Sequence, residues 1–142
     1  VRVSVFGVVL LWAAALTVSD VRHRRLPNTL TLSGAIAILA VAAWCGRGMP
    51  ALAGALGLAG LYLVVHLVIP AGLGAGDVKL ALGLGGLTGA FGPDVWLMAA
   101  LGAPILTAIL ATVLAVRDRR ATVPHGPSMC LASLAAAALV VF

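Results

Sequence analysis

Six apolar runs, separated only by short connections rich in Gly, Pro and Arg, confine this chain to one class of fold. A hydrocarbon core of about 30 Å takes roughly 20 apolar helical residues, fewer where flanking side chains snorkel. On that ruler the runs predict helices over about 2–20, 29–45, 51–70, 76–91, 94–116 and 125–142. Helix breakers stand between them: LPN at 26–28, GRGMP at 46–50, PAGLGAG at 70–76, GPD at 92–94 and RDRRATVPHGP at 117–127. The fourth run is short and glycine-rich, so its limits are the least defined. Composition agrees: the chain is 63% hydrophobic and 9% charged, against roughly 25% charged in an ordinary soluble domain. The expectation is an all-α, polytopic membrane protein, a six-helix transmembrane bundle forming a single domain over residues 1–142.

Charge orients the bundle. The net charge of +5 is no footprint of nucleic acid, because the basic residues cluster in connections between apolar spans, which is how membrane topology is encoded. If the RHRR connection faces the cytoplasm, alternation places Arg22, Arg24, Arg25, Lys79, Arg117, Arg119 and Arg120 on that side. Only Arg2 and Arg47 fall on the other, a bias of seven to two. The N-terminus is therefore expected outside. The first run, Val3 to Val18, is followed by DVRHRR rather than by a cleavage site and a polar mature chain. It reads as a retained span. Cys45 and Cys130 stand alone, with no CxxC between or beside them, so neither a metal site nor a disulfide is expected, and no cofactor.

The acids carry the chemistry. All four are Asp, at 20, 77, 94 and 118. Asp20 closes the first predicted helix and Asp77 opens the fourth, so two carboxylates reach one membrane boundary from separate helices. Ionisable groups at the margin of a span are costly and face the bundle interior or a water-filled cavity. Brought together, two carboxylates tend to share one proton, which supplies a base to activate water and an acid to protonate a leaving amine. Asp77 lies in GLGAGDVKLALGLGG, residues 72–86. Glycines at 74 and 76 are expected to take strained dihedrals and to admit a substrate strand or a partner helix. Gly85 and Gly89 form a GxxxG that favours tight helix packing.

Plainer roles compete for these residues. Asp20 pairs with Arg24 at i+4, and Asp77 is favoured by the helix dipole, but neither role accounts for the Pro-Asn that follows Asp20 or for the glycines beside Asp77. Lys79, at i+2 from Asp77, lies on another face and reads as an interfacial anchor, with a substrate contact as the alternative. The arginines read as topology determinants, His66 and His125 as structural, and Trp12, Trp44 and Trp96 as interfacial anchors. A rival function is a small proton- or cation-coupled transporter subunit using Asp20 and Asp77. A relay would spread its acids through the bilayer, whereas these two lie at one face.

Three segments resemble the type IV prepilin leader peptidases, the GxGD class of membrane aspartyl proteases. DVRHRRLPNTLTL, from Asp20 to Leu32, is similar to the first catalytic motif of that family, with Asp seven residues ahead of Pro27-Asn28. GAGDVKLALGLGGLTG, from Gly74 to Gly89, is similar to the GxGD box. PHGPSMCLASLAAA, from Pro124 to Ala137, resembles the late Pro-x-Gly-Pro helix start. The resemblance implies an endopeptidase with Asp20 and Asp77 catalytic, and with Gly74, Gly76, Lys79, Pro27, Asn28, Pro124, Gly126 and Pro127 as motif or substrate-binding support. It also implies a prepilin or pseudopilin precursor as substrate and a multi-pass place in the bacterial cytoplasmic membrane, with the active site facing the cytoplasm. Larger members carry paired CxxC motifs and methylate the product. This chain resembles the short, peptidase-only form, for which cleavage without methylation is expected. His125 stands where the family more often has Phe.

Overall fold

The computed structural model describes residues 2–24, 26–70, 74–118 and 123–142. Arg25, Arg119, Arg120 and part of the connection ahead of Gly74 lie outside them. Six helices follow in chain order: α1 Arg2–His23, α2 Asn28–Trp44, α3 Gly48–Val68, α4 Ala75–Phe91, α5 Pro93–Arg117 and α6 Gly126–Val141. No boundary differs from its expected position by more than three residues. The shifts have local causes. α3 starts early and takes Pro50 into its first turn, where a missing N–H goes unneeded. α1 continues past Asp20 until Arg24 turns into the left-handed region at φ 54°.

Three helices are long and apolar enough to cross a membrane: Ser4–His23 within α1, α3 and α5. α2 and α6 are apolar but shorter. α4, 17 residues long, is the helix most screened by protein, packed against α2, α3, α5 and α6. Its small residues make that position possible. Gly85 and Gly89 meet Gly54 of α3 backbone to backbone: a methyl at Gly54 would collide with the Gly85 carbonyl oxygen and come within 2.7 Å of the Gly89 Cα. The GxxxG expectation is thus met, and the contact is worth most in lipid, where packing rather than water exclusion draws helices together.

Trp12 and Trp96 depart from the expected anchoring role. The Trp96 indole N–H donates to the Gly54 carbonyl at 3.0 Å. The Trp12 indole N–H donates to the Leu30 carbonyl at 2.8 Å, its ring lying against Gly34 and Gly83. Each Trp therefore fills space that glycines open between helices. Trp44 alone, 93% exposed, fits the interface. Trp12 also explains how α1 joins the bundle. No α1 Cα comes within 8 Å of an α4 Cα, and the Trp12 ring, with Leu16 below it in the core, spans that separation toward the middle of the bundle.

Candidate active site

Asp20 sits in the last turn of α1 and is buried. Its carbonyl accepts the Arg24 N–H at 2.9 Å. Its side chain is held from α6: the Gly126 N–H donates to Asp20 Oδ2 at 3.0 Å. The first amides of a helix have no acceptor within it, and Pro127, next in line, has no N–H to give. Gly126 supplies that free amide. It also lets the carboxylate approach, because a Cβ at position 126 would collide with Asp20 Oδ2.

Asp77 lies half-buried in the first turn of α4, its N–H directed to the Gly74 carbonyl at 3.2 Å. The strain expected at Gly74 and Gly76 is not there. Gly74 is extended, at φ −76° and ψ 155°, a conformation open to any residue, and Gly76 is helical. What Gly76 does provide is proximity, since a Cβ there would lie 3.3 Å from Leu26 Cβ. The α1–α2 connection thereby rests on the start of α4.

The Asp20 charge reaches Asp77, and both charges reach Cys130. The backbones of the two aspartates remain more than 8 Å apart. α1 and α4 therefore meet only through side chains. Leu16, Leu80 and Met129 are buried together in the core of the bundle.

A further tie joins the first two motif segments. Lys79 Nζ donates to Asn28 Oδ1 at 2.7 Å, joining the second turn of α4 to the start of α2. Lys79 thus links two of the motif segments. Pro27, extended at φ −63° and ψ 133°, turns the chain into α2, its carbonyl accepting the Thr31 N–H at 3.0 Å and the Thr31 hydroxyl at 3.1 Å. Pro124 and Pro127 flank the turn into α6, with Pro127 in the first helical turn.

The sequence reading missed Tyr62 and Thr107. Tyr62 Oη lies 2.9 Å from His125 Nε2, and Thr107 Oγ1 lies 2.6 Å from His125 Nδ1. Tyr62 is also within range of the Asp77 charge. The signal was present: Tyr62 is the only tyrosine in the chain, set in a run whose one other polar side chain is His66. A hydroxyl buried in such a run must find a partner.

No curated protein and no solved structure matches the chain. A family model does: that of the type IV leader peptidase family matches residues 7–142, so the match includes all three motif segments.

Proposed function

Since the chain belongs to the type IV leader peptidase family, we propose that Asp20 and Asp77 together activate a water molecule to cut the basic leader from a prepilin or pseudopilin precursor. The observation that carries this reading is the placement of the pair: one carboxylate in the last turn of α1, gripped by the Gly126 amide, and one in the first turn of α4, reached by the Asp20 charge. One carboxylate, ionised, takes a proton from water as the oxygen attacks the scissile carbonyl. The other, protonated, hydrogen-bonds the carbonyl oxygen and stabilises its developing charge. Collapse of the tetrahedral intermediate then passes a proton to the leaving amine, and the pair returns to its singly protonated form. The Gly126 amide on Asp20 Oδ2 leaves the other oxygen of that carboxylate for water or substrate.

The basic bias at the Asp20 end supports a cytoplasmic active site in a bacterial inner membrane, with the N-terminus outside. Asp94 opens α5 at the opposite end and Asp118 follows α5, so no ladder of acids runs through the bundle as a transport relay would need. The 142 residues carry no paired CxxC, and cleavage without methylation is the activity expected of this segment.

The test is co-expression with a prepilin bearing a basic leader, read by the gel shift of the product. Asp77→Asn keeps the shape of the side chain and removes its proton chemistry, so cleavage should fall about 10²- to 10⁴-fold while the folded protein accumulates normally. Near-wild-type processing by Asp77→Asn would end the two-carboxylate reading.

A further inference from the structure

We propose that His125 is a positioning residue for Asp20, resting on the two-carboxylate reading above: it fixes the peptide unit whose N–H holds the Asp20 side chain. The amide that donates to Asp20 Oδ2 belongs to Gly126, but its plane is set by the peptide bond between His125 and Gly126. That bond is rigid and trans, so its C=O and N–H point in opposite directions. The His125 carbonyl accepts the Met129 N–H at 3.0 Å, and the Gly126 N–H points the other way, at the carboxylate. The aim of the donor therefore depends on where the His125 backbone is held.

The imidazole supplies that hold. Both ring nitrogens are engaged, Nε2 with Tyr62 Oη of α3 at 2.9 Å and Nδ1 with Thr107 Oγ1 of α5 at 2.6 Å. Each hydroxyl can donate or accept, so either neutral tautomer satisfies both bonds. A ring bonded at one nitrogen can pivot; one bonded at both, to two different helices, has its position fixed. α3 and α5 thus locate the start of α6, and the start of α6 locates Asp20. Tyr62, itself within range of Asp77, connects the same clamp to the side of the site that Asp77 occupies.

The first variants break the clamp at its two partners and leave His125, Gly126 and both Asp in place. Tyr62→Phe and Thr107→Val remove one hydroxyl each at nearly constant volume, and the double variant removes both. Because His125-Gly126 is the only His-Gly pair in the chain, carbonyl-13C-His with 15N-Gly labelling isolates the Gly126 amide in one NMR signal. In the double variant that amide proton should move toward its position in Asp20→Ala, and kcat for leader cleavage should fall about tenfold with KM unchanged, as for loss of a hydrogen bond to a charged group. His125→Phe, which keeps a ring but no nitrogen, should reproduce the loss in kcat, and His125→Gln, which restores a donor and an acceptor, should recover part of it. An unmoved amide or a wild-type kcat in the double variant overturns the proposal. The two readings fail separately. Cleavage surviving in Asp77→Asn removes the two-carboxylate mechanism, whereas wild-type kcat in the clamp variants beside an inactive Asp77→Asn removes only the role of His125.

Discussion

Where α3 begins and α4 finishes, Gly54 lies directly on Gly85 and Gly89, and the Arg47 guanidinium donates to the Ala90 carbonyl at 3.0 Å. At the opposite end, Asp20 and Asp77 come from α1 and α4, whose Cα atoms stay more than 8 Å apart. One end is closed by backbone contact; at the other, the open end, the helices that carry the two acids lack such contact and polar side chains and single amides make the ties. The difference separates two tasks. Small residues bring α3 and α4 together so firmly that the rest of the bundle has a fixed reference. At the other end, side chains and single amides place the two acids on a frame that is set elsewhere.

The contrast makes opposite demands on substitutions at the two ends, and the largest expected effect is at the open end. Asp20→Asn should match Asp77→Asn in its loss of cleavage, with the melting temperature in detergent unchanged. At the closed end the pattern should reverse. Gly54→Leu forces a side chain against the Gly85 carbonyl and the Gly89 backbone, neither of which can rotate away, and overpacking of this kind costs about 1–3 kcal/mol. A lower melting temperature should appear, with cleavage retained below it. Gly60→Ala is the control on the same helix, since a Cβ there meets nothing within 4 Å. Equal melting temperatures for Gly54→Leu and Gly60→Ala would erase the distinction between the two ends.

The fold was legible because lipid simplifies it: apolar run length and the placing of Pro, Gly and Arg are enough to position six helices. The bulk of the candidate site was legible too, since Asp20 and Asp77 are charges in places where charge is costly. Three features were not. The Gly126 amide that grips Asp20 has no side chain to announce it, and only the geometry of a helix start ahead of a proline reveals the free donor. Tyr62 and Thr107 read as incidental polar residues until the fold brings both to His125. The glycines at 74 and 76 were misread for the opposite reason. Glycine in a sequence marks either strain or proximity, and here Gly76 marks proximity to Leu26 while neither has a positive φ.

A smaller effect than either aspartate change is expected at Gly126 itself. Gly126→Ala places a methyl where Asp20 Oδ2 now sits, so either the carboxylate or the first turn of α6 must move and the hydrogen bond is lost. The affected contact is local and leaves the Gly54 packing intact. kcat should drop about tenfold at an unchanged melting temperature. A drop in thermal stability equal to that of Gly54→Leu would mean that the open end, too, holds the bundle together.

The smallest effect should come from the tie between Lys79 and Asn28. It is a charge-assisted bond of 2.7 Å, but it lies in an exposed setting where water competes for both groups, and such bonds contribute modestly. Its place gives it a definite job: it joins the turn that follows Asp77 to the helix start that follows Pro27. Lys79→Met and Asn28→Ala should each lower cleavage about two- to tenfold, and the double variant should lose no more than either alone, because both remove the same contact. The cycle also separates this role from direct contact with the leader. If Lys79→Met costs far more than Asn28→Ala and the two losses multiply, the ammonium acts on substrate rather than on Asn28. In that event the open end is held together by the Asp20–Gly126 and His125 contacts, with Lys79 free to meet the incoming chain.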